Sequence, residues 1–212
     1  KGENTGLQSY RVSVFDEFPR TGLPPPFSSY SEYQRTMKIL TDAELIEDQS
    51  KLWWDVRPSS RFPTLEIRLC DICPRLVDTA AIIAFSLCLM RMLYRLRKRN
   101  QKWREYSRFL IQENRWRAQR YGPMESMVDF GEGKLLPYRE LMDEVIDILK
   151  EDAAYFNCEK ELSHIKTISQ KGTSASRQIA CFNKAIKDGA SKEDALKKVG
   201  DLLVDETISS PD

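Results

Sequence analysis

Hydrophobic and polar residues alternate with a period of two in one part of this chain and follow a helical period in most of the rest. Residues 52–57 and 64–70 both alternate, and a turn-like segment at 58–63 with two prolines and two serines separates them. Alternating segments joined by such a loop predict a β-hairpin. A further short strand is predicted near residues 8–15, followed by an extended, proline-rich loop.

Helix-start signals occur on both sides of this predicted hairpin. Ser29 and Glu32 have the spacing of a capping box, which predicts a helix over residues 31–40, and Thr41 and Glu44 repeat the spacing for a short second helix. Five later segments show helical periodicity or helix-end signals, and the predicted helices cover residues 76–97, 103–121, 138–156, 174–187 and 191–206. An antiparallel sheet element followed by several helices is an α+β fold class.

The most hydrophobic segment covers residues 80–90, within the first of these later helices. It is shorter than the roughly 20 apolar residues that a membrane-spanning helix needs. We therefore expect a buried helix and no membrane partner. Residues 1–6 are polar and do not resemble a signal peptide, and we expect the chain to be a piece of a longer protein.

Composition narrows the function classes. Of the 212 residues, 41% are hydrophobic and 31% charged, and the net charge of +1 argues against a strongly basic nucleic-acid binder. The five cysteines are odd in number and scattered, which favours a reducing, cytoplasmic location over a disulfide framework. Cys70 and Cys73 form a lone C-x-x-C without a second pair, so a zinc site is not expected. His164, the only histidine, is expected to be a surface or packing residue rather than part of a catalytic triad.

The predicted hairpin carries the candidate chemistry. Side chains alternate faces along a strand, so Asp55 and Arg57 share one face of the first strand, and Glu66 and Arg68 share one face of the second. If the apolar residues between them pack on the helices, these four charged side chains converge on one open face. They could form cross-strand ion pairs worth about 0.2–1 kcal/mol each on a solvated face. They could also form a phosphate-handling site, in which carboxylates hold Mg²⁺ and arginines bind phosphate oxygens.

A second candidate is the basic stretch 91–120, with eleven Lys or Arg residues against two acids and with interleaved aromatics. Such a stretch could bind nucleic acid through phosphate contacts and stacking. We prefer a solvated helix face in which a few arginines point inward, and we expect no nucleic-acid partner. Arg117 and Arg120 are the candidates for inward arginines. Arg177, near a predicted helix start, is a further candidate for ligand contact.

Several segments together resemble the type 2 glutamate–cysteine ligases, also called carboxylate–amine ligases. In chain order they are N-T-G at 4–6, F-P-R-T-G at 18–22, W-W-D-V-R-P-S at 53–59, P-T-L-E-I-R-L-C-D at 63–71, E-N-R-W-R-A at 113–118 with R-Y-G at 120–122, and G-T-S-A-S-R-Q at 172–178. Any one of them is a weak signal, but they occur in family order across nearly the whole chain. The resemblance implies that residues 1–212 are the C-terminal part of a single catalytic domain with a glutamine synthetase-like fold, without its N-terminal half.

The resemblance also implies roles for individual residues. It makes Glu66 a metal ligand, Arg68 a contact to substrate carboxylate or transferring phosphate, and Arg57 a contact to nucleotide phosphate. Asp55, Arg117 and Arg177 are the other candidates for substrate or nucleotide binding. The implied cofactors are ATP and Mg²⁺, and the expected partners are glutamate, an amino-acid amine acceptor and the missing N-terminal part, with a homodimer left open.

The expected reaction is the ATP-dependent joining of the γ-carboxylate of glutamate to the amine of cysteine or a similar amino acid through an acyl phosphate. Two alternatives stay open. One is a ligase-like module that is not catalytic and serves assembly or ligand sensing, and the other is a nucleic-acid-binding helical domain that uses the basic stretch.

Overall fold

The structure, a computed structural model, describes residues 3–209 and divides into two compact units. One unit is Ser9–Asp71. The other combines Lys1–Gln8 with Ile72–Asp212. Within the described residues the molecule is mostly helical, with three separate two-stranded sheets.

The smaller unit has a helical part and a strand part. Its elements are α1 (Tyr10–Asp16), β1 (Thr21–Gly22), α2 (Tyr30–Asp42), a 3-10 turn (Gln49–Lys51), β2 (Trp53–Trp54), β3 (Val56–Pro58) and β4 (Leu65–Ile67). β1 and β2 pair in parallel, and β3 and β4 pair antiparallel. The core is formed by Tyr33, Met37, Ile46, Leu52 and Trp54.

Side-chain caps set where the helices of this unit begin. The Ser29 hydroxyl accepts a hydrogen bond from the Glu32 backbone N–H, which confirms the predicted start of α2. The predicted short helix after it is wrong, because Thr41 lies inside α2 and Glu44 takes a left-handed conformation with φ of 55°. The strand predicted over residues 8–15 is also wrong. The Ser9 side chain caps the Val12 N–H, and the segment forms α1.

The larger unit is a helical assembly with one β-hairpin. Its elements are α3 (Leu76–Lys98), α4 (Arg108–Tyr121), a 3-10 turn (Gly122–Met124), β5 (Ser126–Asp129), β6 (Lys134–Pro137), α5 (Tyr138–Ile148), α6 (Lys150–Phe156), α7 (Glu159–Lys171), α8 (Ser174–Lys187) and α9 (Lys192–Ile208). Strands β5 and β6 pair antiparallel. The predicted helices at 76–97, 174–187 and 191–206 are confirmed to within two residues.

The remaining predictions for this unit need correction. The helix expected over 138–156 is two helices that meet at Leu149, and α7 was not predicted. Helix α4 begins five residues later than expected, because the Ser107 side chain caps the Leu110 N–H. Residues 130–137, which lie between two predicted helices, include the strand β6.

Helix α3 is the centre of the larger unit. It packs against α6 and α7 through small or flexible side chains, among them Ala81, Cys88 and Met92. Across from them lie the fully buried Leu149 and the nearly buried Leu162. Burial raises the pKa of the Cys88 thiol to about 12, and the Cys158 sulfur 3.7 Å away acts in the same direction. The Cys88 thiol is therefore neutral at physiological pH and behaves as a small apolar side chain.

Within residues 3–209, α3 is the one helix long and apolar enough to cross a membrane by length and composition. A core helix of a soluble protein passes the same test, so this feature is weak evidence for a membrane span. The expectation of a buried helix holds for the face that packs on α6 and α7, while Leu76 and Ile83 are exposed.

A buried carboxylate joins α3 to α6. The Asp152 side chain is fully buried and accepts hydrogen bonds from Arg91 Nη1 at 2.6 Å, and from Arg95 Nε at 2.9 Å and Nη2 at 2.7 Å. Burial acts to raise the pKa of Asp152, but the two guanidiniums together outweigh it and hold this pKa below its usual range. The Arg91 guanidinium also lies 3.9 Å from the centroid of the Tyr155 ring, a cation–π contact.

Replacing Asp152 with Asn should destabilise the protein by about 3 kcal/mol, because it leaves two partly buried guanidiniums without their counter-charge. Urea unfolding of Asp152→Asn beside Asp147→Asn provides the comparison. The Asp147 carboxylate forms an exposed ion pair with Lys150, so its loss should cost less than about 1 kcal/mol. Equal losses for the two variants would contradict the structural role of Asp152.

The lowered pKa of Asp152 predicts how the free energy of unfolding changes at acidic pH. The folded-state pKa of Asp152 is lowered, so its contribution to stability is present above the unfolded-state value of about 4 and is lost as the pH falls through the folded-state pKa. The difference in unfolding free energy between wild type and Asp152→Asn should therefore shrink as the pH is lowered below about 4. A constant difference down to pH 2 would contradict this.

Candidate functional site

The hairpin predicted from alternation is present, with shorter strands than expected. Its register pairs Val56 with Ile67, Arg57 with Glu66, and Pro58 with Leu65. The ladder continues beyond the strands, because the Arg68 N–H donates to the Asp55 carbonyl at 2.8 Å. This register places Arg57 opposite Glu66 and Asp55 opposite Arg68. The four charged residues therefore share one face of the hairpin, as the alternation predicted.

Glu66 lies between two arginines. Its Oε2 accepts from Arg57 Nε at 2.9 Å and from Arg57 Nη2 at 2.8 Å, while its Oε1 accepts from Arg68 Nη1 at 2.5 Å. Partial burial acts to raise the pKa of Glu66, but the hydrogen bonds and charges of Arg57 and Arg68 together lower it. The carboxylate is therefore ionised at neutral pH, and both of its oxygens are engaged.

Arg57 is buried, with only 8% of its surface exposed. Besides binding Glu66, its Nη1 donates to the carbonyl of Ser50 at 2.5 Å and to the carbonyl of Leu52. These carbonyls belong to the 3-10 turn and the residue after it, where helical structure leaves acceptors unpaired. One guanidinium thus joins the hairpin to the preceding turn. An incoming phosphate would have to share Arg57 with these acceptors, whereas Arg68 is the more accessible arginine.

The expected burial of the two hairpin faces is wrong. Asp55 and Arg57 are buried, each 8% exposed, while the apolar residues Val56, Leu65 and Ile67 are exposed. Because Arg57 binds two backbone carbonyls, the charged face of the hairpin points towards the rest of the unit. The apolar face therefore points outward. Alternation of burial also fails at Trp54 and Asp55, which are adjacent and both buried.

Two of the family-like segments meet beside the hairpin. The Trp53 N–H donates to the Arg20 carbonyl at 2.9 Å, and the Asp55 N–H donates to the Gly22 carbonyl at 2.8 Å. Arg20 reaches this geometry with a left-handed φ of 63°. The segment at 18–22 therefore holds the backbone that carries Asp55.

The residues after β4 are also anchored. Arg11 Nε donates to Asp71 Oδ1 at 2.5 Å, and its Nη2 donates to the Leu69 carbonyl at 2.7 Å. Helix α1, which was not predicted, thus holds the segment that follows Arg68. Sequence periodicity offered no signal for this contact, because Arg11 and Asp71 are 60 residues apart.

Arg117 has a structural contact in the larger unit. Its Nε donates to the Ser126 carbonyl at 2.8 Å, and one turn earlier the Asn114 amide exchanges two hydrogen bonds of 2.8 Å with the backbone of Val128. Together they hold strand β5 on α4. Arg117 is half-buried, as expected of an inward arginine, whereas the same prediction for Arg120 is wrong because that residue is exposed. The role of Arg117 as a ligand contact is a separate prediction.

Arg177 is bound by two carboxylates that sequence reasoning did not identify. Its Nε donates to Glu206 Oε1 at 2.5 Å, and its Nη2 lies 3.2 Å from Asp78 Oδ2. Asp78 also lies 2.8 Å from Nε2 of His164, and Glu206 also pairs with Arg75 at 2.8 Å. Both carboxylates are buried. Asp78 could have been recognised in the sequence, because it is an acidic residue within the apolar segment that begins α3. An anion at Arg177 would have to compete with this cluster.

The turn before Arg177 depends on a glycine. Gly172 has φ of 82°, and a Cβ at this position would lie 2.8 Å from the Cβ and the Oγ of Ser176. Only glycine fits both the left-handed backbone and this close approach. The G-T-S-A-S-R-Q segment is thus the tight junction of α7 and α8, which brings Arg177 onto the first turns of α8.

Part of the positive charge in the basic stretch 91–120 is already paired with carboxylates and is not free to bind an anionic partner. Arg91 and Arg95 are committed to Asp152 and Glu151, and Lys102 pairs with Glu105. These contacts fit the preferred interpretation of a helix face with some inward arginines.

The described residues do not form a metal site by themselves. Residues 3–209 contain no group of three or more His, Cys, Asp or Glu side chains arranged to hold a metal ion. None of the five cysteines, all within these residues, forms a disulfide. Cys70 is exposed and lies beyond the end of β4.

Changing Arg57 to Lys should destabilise the smaller unit by about 1–3 kcal/mol. A lysine ammonium has three donors on a flexible stem and cannot bind one carboxylate and two backbone carbonyls in the geometry of a guanidinium, so acceptors are left unpaired. Urea unfolding measures the loss, with Arg61→Lys in the exposed hairpin loop as the matched control, expected within about 0.5 kcal/mol of wild type. A silent Arg57→Lys would mean that the buried contacts contribute little.

Comparisons with a family model and with individual known proteins point to the same family. The family model described as glutamate–cysteine ligase family 2 matches residues 1–198. A protein of Rhodospirillum rubrum is 50% identical over 209 residues, covering 99% of this chain and 54% of the relative. A protein of Jannaschia sp. is 48% identical over 206 residues, covering 97% and 54%, and one of Chloroflexus aurantiacus is 37% identical over 207 residues, covering 98% and 51%. All three carry the provisional name glutamate–cysteine ligase 2, and the chain spans about half the length of each. The match over residues 1–198 shows that this chain belongs to glutamate–cysteine ligase family 2.

Proposed function

We propose that this chain is part of an ATP-dependent carboxylate–amine ligase that joins the γ-carboxylate of glutamate to the amine of cysteine or a similar amino acid. The observation that carries the proposal is the family match over residues 1–198. The paired charges on the hairpin support it, because they lie in segments that resemble the family. The chain would be the C-terminal part of one glutamine synthetase-like catalytic domain, acting in the cytoplasm.

The proposed chemistry has two steps. A carboxylate oxygen of glutamate attacks the γ-phosphorus of ATP, which forms an acyl phosphate and releases ADP. The amine then attacks the acyl carbon, loses a proton and releases phosphate as the amide bond forms. Both steps place negative charge on oxygens that guanidiniums can bind in bidentate fashion.

Arg68 is the residue best suited to contact the reacting groups. Its side chain is about 30% exposed, and one of its nitrogens is held at 2.5 Å by Glu66. Glu66 therefore orients Arg68. Arg57 holds Glu66 from the other side, which makes it a positioning residue in this arrangement, and a nucleotide-phosphate contact is the further role that we propose for it. Asp55, Arg117 and Arg177 are further proposals for substrate or nucleotide binding.

Mg²⁺ is the expected companion of ATP, and the described residues do not fit it alone. A hard cation needs about six oxygen ligands, whereas both oxygens of Glu66 already accept from arginines. We propose Glu66 as one metal ligand only in company with oxygens from the part of the ligase that this chain does not span.

A module that is not catalytic is the second candidate. It is favoured by the lack of a three-ligand metal group among residues 3–209 and by the full engagement of Glu66. The two candidates differ in one property. A ligase regains activity when the rest of the domain is supplied, and a module that serves assembly or sensing does not.

Kinetics of a hybrid ligase test the proposal. The hybrid joins this chain to the part of the Rhodospirillum rubrum relative that it does not span, and it should release ADP in a glutamate-dependent reaction, whereas the isolated chain should not. In the hybrid, Glu66→Gln should lower kcat by roughly a hundredfold or more, through loss of a preorganised charge. Arg68→Lys should also lower kcat, because an ammonium cannot replace a bidentate guanidinium.

Glu47→Gln is the matched control, since Glu47 forms an exposed ion pair with Lys51 and should leave kcat unchanged. A melting curve for each variant separates lost chemistry from lost folding. An active hybrid with near-wild-type kcat for Glu66→Gln and Arg68→Lys would overturn the site assignment. A folded hybrid with no ATP-dependent activity would favour the second candidate.

A further inference from the structure

Helix α3 presents an apolar stripe to solvent. Leu76, Ala80, Ile83, Leu87, Met90 and Tyr94 follow one another at spacings of four and three residues. This spacing places them on one face of the helix, along about 27 Å. All of them except the half-buried Ala80 are exposed, and none is charged. We refer to these six residues as the α3 stripe.

The opposite face of α3 is already used. Ala81, Cys88 and Met92 pack in the core of the larger unit, and Arg91 and Arg95 bind the buried Asp152. The helix is therefore apolar on two opposite sides. A helix with this pattern is typically covered on both sides in a folded protein. Exposed apolar surface of this length indicates an interface.

We infer that the α3 stripe is the surface on which the remainder of the ligase packs, namely the polypeptide that corresponds to the part of the relatives outside this chain. The relatives keep 48–50% identity to nearly all of this chain, and this chain covers only 54% of their length. Almost half of each relative is therefore available to cover this helix. A segment of the same polypeptide binds at a high effective concentration, which favours it over a separate partner.

The charged residues of α3 argue against lipid as the occupant. Asp78 and Arg91 lie near the two ends of the stripe and are held in ion pairs with other parts of the unit. These pairs fix the helix in protein and leave only one face for contact. The inference rests on family membership and on the exposed stripe, and it does not depend on ligase activity.

The test introduces charge into the stripe. Ile83→Glu with Leu87→Glu changes two stripe residues one turn apart, which are 54% and 44% exposed. The matched control is Val204→Glu with Ile208→Glu on α9, an i,i+4 apolar pair that is 57% and 75% exposed. Both pairs are made in the isolated chain and in the hybrid with the Rhodospirillum rubrum segment. Thermal unfolding is measured for all forms, together with binding of the separately produced segment to the isolated chain.

The stripe pair should lower the Tm of the hybrid by about 5 °C or more, because it buries two carboxylates in an apolar contact. In the isolated chain the same pair should leave the Tm within about 2 °C of wild type. The stripe pair should also weaken binding of the separate segment at least tenfold, and the α9 pair should change neither quantity. Similar Tm values for the two hybrid variants would overturn the inference, and so would failure of the wild-type chain to bind the segment.

Two further outcomes would assign the stripe to another occupant and overturn the inference. The first is an isolated chain that sediments as a dimer and becomes a monomer with the stripe pair, which would identify a second copy. The second is a wild-type chain that co-sediments with phosphatidylcholine vesicles while the stripe variant does not, which would identify a bilayer. ADP release is not part of any readout, so a hybrid without ligase activity would bear only on the proposed function.

Discussion

The buried guanidinium of Arg57 is the interaction on which the candidate site depends. A charge withdrawn from water must be paired, and Arg57 finds one carboxylate, Glu66, and two backbone carbonyls within the same unit. This requirement turns the charged face of the hairpin towards the protein. It also fixes Glu66, which in turn holds Arg68 at the more accessible position. The geometry proposed for phosphate binding is therefore a consequence of a structural pairing.

Buried pairs of arginine and carboxylate side chains also occur in the larger unit, where they join helices. Asp152 binds Arg91 and Arg95 and joins two helices of the core, while Asp78 and Glu206 bind Arg177. In each case arginines meet carboxylates from distant parts of the chain. Such pairs contribute modestly when intact, but removal of one partner is costly because the other stays buried and charged. They hold this fold in one arrangement and engage Arg91, Arg95 and Arg177.

The exposed apolar faces of this chain can be understood from the share of its relatives that it covers. The outward face of the β3–β4 hairpin and the α3 stripe are both apolar, and the chain spans about half of each relative. A charged site on one side of a sheet element and uncovered apolar faces elsewhere are what a part of a larger domain would present. In the proposed ligase, the further metal ligands and the covering surface would both come from the part of the relatives that this chain does not span.

The sequence by itself determined the local features of this protein. Alternation over 52–57 and 64–70 predicted the hairpin and the shared face of Arg57 and Glu66, and the capping signal at Ser29 predicted a helix start, because these features depend on neighbours a few residues away. The order of short motifs was enough to identify the family. Only the tertiary structure decided which hairpin face is buried, that Arg177 is bound by Asp78 and Glu206, and that α3 has two apolar faces of which one is uncovered. The contacts of Arg177 span 29 and 99 positions, and the carbonyls that bind Arg57 lie seven and five positions before it. Periodicity carries no information about which carboxylate or carbonyl a buried guanidinium will reach.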